Sequence, residues 1–163
     1  MINNKTFLAI IPARGGSKRL PKKNIVDLAG QPLIAWSINA AIKSKYIDKT
    51  IVTTDSDEIL EVARKYGAEV PFKRPDYLSS DTAIREDVIR HTIDYYQNEK
   101  KEKFDYLIYL QPTSPLRNEK YIDEAIEYMF EKRANAIVSV CKLEHPVQWS
   151  GLLPEDRDMS NFI

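Results

Sequence analysis

A three-layer α/β/α arrangement around a mostly parallel sheet is predicted for this 163-residue chain by three features. Five short apolar, β-branched runs alternate with amphipathic stretches. The runs are near-continuous in apolar residues, the mark of strands covered on both faces. Hydrophobic residues at 43% against 29% charged are a globular composition, which excludes a disordered or collagen-like chain.

The elements follow in order. Phe7-Leu8-Ala9-Ile10-Ile11 is the first strand, and after Pro32 the residues Ile34, Ile38, Ala41 and Ile42 recur at helical spacing. Thr50-Ile51-Val52-Thr53-Thr54 is the second strand. Its helix carries Ile59, Leu60, Val62 and Ala63 and ends at Gly67, a left-handed C′ residue. A short third run spans Val70 to Phe72, followed by a helix with Ile84, Val88, Ile89, Ile93 and Tyr96. Tyr106-Leu107-Ile108-Tyr109-Leu110 is the fourth strand. Asn118 then suits an N-cap for a helix bearing Ile122, Ala125, Ile126, Met129 and Phe130. Ala136-Ile137-Val138-Ser139-Val140 reads as a fifth strand, after which the pattern dissolves. Ligands in such sheets bind beyond the carboxyl ends of the strands, so the site is expected just after Ile11, Thr54, Phe72, Leu110 and Val140.

Charge and cysteine content narrow the function. With 24 Lys and Arg against 24 Asp and Glu, the chain lacks the broad basicity of a nucleic-acid binder, and an anion site must come from local clustering. A lone cysteine, Cys141, excludes an internal disulfide framework or a cysteine-based zinc cluster and fits a reducing, cytoplasmic setting. No stretch approaches the roughly 20 apolar residues of a membrane span, and no targeting segment is visible. Neither His91 nor His145 has a companion at metal-ligand spacing.

The segment after the first strand, Pro12 to Asn24, holds five basic side chains and no acid. Adjacent Gly15 and Gly16 permit a tight turn whose N–H groups can cradle an anion, with Arg14, Lys18 and Lys23 adding charge-assisted bonds to phosphate oxygens. The order Gly16-Ser17-Lys18 fails the P-loop pattern, and the missing third glycine fails the dinucleotide fingerprint. A solvated surface loop and a polyanion or import patch are the other readings; the position after a parallel strand favours phosphate.

The run Ile11-Pro12-Ala13-Arg14-Gly15-Gly16-Ser17-Lys18-Arg19-Leu20-Pro21-Lys22-Lys23-Asn24 resembles the N-terminal signature of the CMP-sialic acid synthetases, the acylneuraminate cytidylyltransferases. Val52-Thr53-Thr54-Asp55, Arg74 to Ala83, and Leu110-Gln111-Pro112-Thr113-Ser114-Pro115-Leu116-Arg117 match in the same order, and Ser139 to His145 is also similar. CMP-KDO synthetases share a shorter form of the first loop.

The resemblance implies a nucleotide-diphospho-sugar-transferase-like, Rossmann-like fold. It implies transfer of CMP from CTP to an acidic nine-carbon (nonulosonic) sugar with release of pyrophosphate, Mg²⁺ as cofactor and a homodimeric full-length protein. Such activated sugars serve lipopolysaccharide or capsule synthesis. Implied nucleotide-binding positions are Ala13, Arg14, Gly15, Ser17, Lys18 and Asn24, the last near the ribose, with Arg74 and the backbone around Ala83 reading cytosine. Arg14 and Lys23 are the implied catalytic residues, and Gln111 contacts the acceptor.

Taken as residues alone, Gln111-Pro112 also reads as a strand-ending turn and Arg74-Pro75 as a surface turn. Asp55 reads as a metal or ribose ligand, or as a helix cap. The family's metal-binding aspartates and its dimerising segment are expected in a later stretch than this chain holds. Its apolar ending at Phe162-Ile163 fits a chain that stops early. The metal ligands and the particular acceptor therefore stay open, as does a CTP-binding module without turnover.

Overall fold

The computed structural model describes residues 2–142. Its elements run β1 (Phe7–Pro12), β2 (Asp27–Leu28), β3 (Gln31–Pro32), α1 (Leu33–Lys43), β4 (Lys49–Thr53), α2 (Asp57–Lys65), α3 (Arg85–Tyr95), β5 (Tyr106–Tyr109) and α4 (Glu119–Glu131). The main sheet has the order β4-β1-β5, all parallel, while β2 and β3 form a small antiparallel hairpin.

Successive β1 side chains point to opposite faces, and this alternation builds the layers. Phe7, Ala9 and Ile11 pack with Ile34 and Ile38 of α1, Ile59 and Ala63 of α2, and Ile122 and Ile126 of α4. Leu8 and Ile10 face the other way, against Ile51, Tyr96 and the α3 residues Ile89 and Tyr95. The result is the expected three-layer order. All five residues from Phe7 to Ile11 are buried, and each large one contributes about 1.5–3 kcal/mol by leaving water, so β1 anchors the fold.

Two carboxylates clamp the entry to β1. Asp48, just before β4, accepts the Phe7 N–H at 2.8 Å, and Asp105, just before β5, accepts the Thr6 N–H at 3.0 Å. These bonds set both parallel registers from the amino-terminal end. At the opposite end the chain leaves the sheet into loops, which is where the site lies.

Asn118 caps α4 as expected, accepting the Tyr121 N–H at 3.2 Å. Gly67 follows α2 with φ +91°, as expected for a left-handed C′ glycine. Two expectations fail. The run from Val70 to Phe72 is no strand: only its flanks touch the sheet, through the bridges Ile51 to Glu69 and Thr54 to Lys73. Ala136 to Val140 is no strand either. Its composition suits a strand, but among the described residues no ladder partner adjoins it, and Val138 and Val140 stand 80% and 91% exposed. A strand exists by pairing, and β propensity alone does not supply a partner. The end of the Ser139 to His145 segment, with His145, and Phe162 and Ile163 lie outside the described residues.

Candidate nucleotide site

The loop after β1 is built to present cations. It leaves the sheet with the buried Ala13, whose N–H donates to the Thr53 carbonyl at 3.0 Å. It returns at Asn24, itself buried, whose Nδ2 donates to the Arg14 carbonyl at 3.0 Å. The loop is thus closed on itself at its neck, with Lys22 in the left-handed region at φ 54° to make the return turn. Arg14, Ser17 and Lys23 project from it into a cavity of about 380 Å³. Pro12 and Tyr109, the last residues of β1 and β5, line the same cavity. The site therefore sits beyond the carboxyl ends of parallel strands.

Ten residues were implicated by the sequence. Arg14, Ser17, Lys23, Asn24, Arg74, Ala83 and Gln111 come together around this cavity. Ala13, Gly15 and Lys18 do not line it: Ala13 is a buried support, Lys18 pairs with Asp81, and the Gly15 N–H donates to Asp55 Oδ1 at 2.9 Å. Gly15 is still required by close approach, because a Cβ there would lie 2.9 Å from Ser56 Cβ. Asp55 is not the cap of α2. Ser56 is, its Oγ accepting the Ile59 N–H at 3.4 Å.

Arg74 is a buried cation, 5% exposed. Its Nε donates to Ser79 Oγ at 3.0 Å, and its Nη2 lies 3.7 Å from Asp55 Oδ1, an ion pair longer than a hydrogen bond. Burial pushes its guanidinium below the usual arginine range, and the Asp55 charge acts in the opposite direction. It is no surface turn.

Arg14 meets a different anion. Its Nη2 lies 2.8 Å from Asp81, and its Nη1 donates to the Ser80 carbonyl at 3.0 Å. Asp81 is bonded by Lys18 as well as by Arg14, and those two cations hold its carboxyl below the ordinary range. Of the cations lining the cavity, only Lys23 has no carboxylate within 4.0 Å among the described residues; Arg85 has Glu86 at that limit.

Sequence reasoning missed Ser80, Asp81, Arg85 and Tyr109 as lining residues. Asp81 lies inside the Arg74 to Ala83 segment, where the sequence alone shows no partner for its charge. Arg85 is the first residue of α3, with its guanidinium 5.7 Å from the Tyr109 ring centroid. That contact joins two segments far apart in sequence and leaves no local signal. Gln111 lines the cavity together with Thr113 and Tyr109, and its carbonyl accepts from Arg117 Nη2 at 3.2 Å.

Mg²⁺ takes near-octahedral oxygen coordination, usually with one or two carboxylates. Among the described residues no three His, Cys, Asp or Glu side chains converge, and Asp81, which lines the cavity, and Asp55, beside the lining Arg74, both face cations. These residues do not fit a magnesium ligand set, and no step below is routed through one. Among the described residues, no helix is long and apolar enough to cross a membrane.

Comparison with known proteins agrees with this geometry. A family model described as cytidylyltransferase matches residues 8–151. The chain is 38% identical over 155 residues to a pseudaminic acid cytidylyltransferase of Campylobacter jejuni, covering 95% of this chain and 66% of that protein. It is 43% identical over 145 residues to a CMP-N,N'-diacetyllegionaminic acid synthase of Legionella pneumophila, covering 88% of this chain and 61% of that protein. A solved CMP:2-keto-3-deoxy-manno-octonic acid synthetase complexed with CTP superposes with a TM-score of 0.64 at 23% identity, over 79% of this chain and 49% of that one. At that identity the likeness shows the fold, which is the nucleotide-diphospho-sugar-transferase type. A match over residues 8–151, on a parallel sheet whose carboxyl end carries the expected cations, leads to one conclusion: the chain belongs to the cytidylyltransferase family.

Proposed function

We propose that the protein carrying this chain transfers CMP from CTP to a nonulosonic acid and releases pyrophosphate, with this chain supplying the nucleotide site. The chain spans 66% and 61% of the lengths of the two relatives named above, so the reaction is assigned to the protein and the nucleotide half of it to these residues. The observation that carries the reading is the gathering of Arg14, Lys23, Arg74 and Arg85 around one cavity in a chain of zero net charge.

In this reading the anomeric hydroxyl of the sugar loses its proton to water as its oxygen forms a bond to the α-phosphorus. The bond to the bridging oxygen breaks, and pyrophosphate leaves with the electron pair. Charge grows on the leaving group, so fixed positive charge lowers the barrier. Lys23 and Arg14 supply it, Arg14 exchanging Asp81 for phosphate oxygens. Arg74, rigid because it is buried and tied to Ser79, reads the base beside the Ala83 backbone. Asn24 supports the ribose end, and Gln111 faces the acceptor. The acceptor's carboxylate suits Arg85, the lining cation with no other role in the scheme.

Mg²⁺ and a homodimer belong to the proposal through the resemblance, a cytoplasmic setting through the lone cysteine, and the absence of nucleic-acid and membrane partners through the balanced charge and the lack of a long apolar run. The deciding experiment is pyrophosphate release by the full-length protein with CTP, Mg²⁺ and, in turn, an eight-carbon keto-deoxy acid and the nonulosonic pseudaminic, legionaminic and N-acetylneuraminic acids. Turnover with one of the nonulosonic acids is expected. CTP binding without turnover on any would support a nucleotide-binding module, and turnover only with an eight-carbon keto-deoxy acid would move the protein to the other branch.

A further inference from the structure

One carboxylate beside the cavity has no role in the scheme above. Asp55 follows β4, and because Ser56 caps α2, its side chain is free to turn toward the loop after β1. Its Oδ1 accepts the Gly15 N–H at 2.9 Å, and the same oxygen lies 3.7 Å from Arg74 Nη2. Gly15 belongs to the phosphate-side loop and Arg74 to the base side. The close approach at Gly15, where a Cβ would stand 2.9 Å from Ser56 Cβ, presses the loop against this strand end. Arg74 is fixed to the same strand end by its backbone, its N–H donating to the Thr54 carbonyl at 2.7 Å. A single oxygen thus joins two segments 59 residues apart, as read from the positions of Gly15 and Arg74.

We infer that Asp55 is a positioning residue that locks the Gly15 loop and the Arg74 guanidinium into one unit, so that a pyrimidine nucleoside triphosphate is held at its phosphate and base ends in a fixed relation. The ligand class rests on the function proposed above; the coupling rests on the geometry. Asp55 acts through Gly15 and Arg74 and is assigned no contact with the reacting atoms.

The two halves of the coupling are separable by substitution in the full-length protein. Asp55→Asn keeps an oxygen for the Gly15 amide but removes the charge facing Arg74. It is expected to leave binding of inorganic tripolyphosphate within about twofold of wild type while the preference for CTP over UTP falls about tenfold, the size of one lost charge-assisted contact. Asp55→Ala removes both contacts, and tripolyphosphate binding is expected to weaken about tenfold as well. In Arg74→Gln the loss caused by Asp55→Asn should disappear, because the two act as one unit. Should the alanine variant fail to fold, the asparagine variant and its cycle with Arg74→Gln decide the matter.

Variants that keep both the CTP preference and tripolyphosphate affinity would overturn the inference, as would losses at positions 55 and 74 that multiply. A wild-type protein binding neither CTP nor tripolyphosphate overturns the functional reading and this inference with it. Wild-type binding with unaltered variants overturns the inference alone.

Discussion

Arg14 reaches the cavity with a counter-ion already in place. Asp81 is gripped by Arg14 and Lys18, and the Ser80 carbonyl accepts a second bond from Arg14. A triphosphate must compete with this internal anion for the same donors. The opposing effects of two substitutions follow. Arg14→Ala removes a charge-assisted phosphate contact and should weaken CTP binding by about tenfold or more. Asp81→Asn removes the competitor and should tighten tripolyphosphate binding by roughly twofold to fivefold, since exposed ion pairs contribute little. Isothermal titration of both variants measures the two signs. Weaker binding in Asp81→Asn would mean that this carboxylate helps to shape the site instead of blocking it.

The two adjacent glycines of the loop look equivalent in sequence and differ in the folded chain. A methyl on Gly15 would collide with Ser56, whose Cβ is held by its place as the cap of α2, whereas a Cβ on Gly16 meets nothing within 4 Å. Gly15→Ala should therefore cost roughly 1–3 kcal/mol by overpacking. Gly16→Ala should be near neutral; thermal denaturation of the pair shows whether the asymmetry holds.

The start of the sheet offers a pH test. Asp105 accepts from Lys5 Nζ at 2.7 Å and from the Thr6 N–H and hydroxyl, each at 3.0 Å, and these bonds bring its carboxyl down from an ordinary 3.8 to about 2. A carboxyl depressed by folding stabilises the native state above its unfolded value and loses that contribution as pH falls toward the folded one. Between pH 3.8 and about 2, Asp105→Asn should flatten the fall in stability seen for wild type.

Elements with long apolar runs or helical periodicity were legible: β1, β4, β5 and all four helices lie where the pattern placed them. The β2–β3 hairpin was not. Two-residue strands carry no periodicity, and its turn at Ala29 and Gly30, both at positive φ, has no neighbouring strand pattern to flag it.

The sequence revealed the cations of the loop and not their partners. The basic loop stands out because one segment concentrates five positive side chains, whereas Asp55, Asp81 and Arg85 acquire meaning only when the sheet brings their segments to one end. The neutral total charge then makes a prediction about how the protein meets its ligand. Long-range attraction for a polyanion is weak when 24 positive and 24 negative side chains balance, so affinity must arise within the cavity. Its lining cations act over distances shorter than the Debye length of about 8 Å at physiological salt. CTP binding should still be salt-sensitive: raising sodium chloride from about 0.05 to about 0.5 M shortens the Debye length from about 14 to about 4 Å, below the reach of several charge pairs on one ligand, and should weaken binding by roughly tenfold. Cytidine, which keeps the base and ribose but has no phosphate, should change by less than about twofold over the same range. Titrating both ligands at the two salt concentrations separates the two ends of the site. An equal response would mean that the base end carries the electrostatics, and a flat response from both would leave Arg14 and Lys23 without a phosphate to hold.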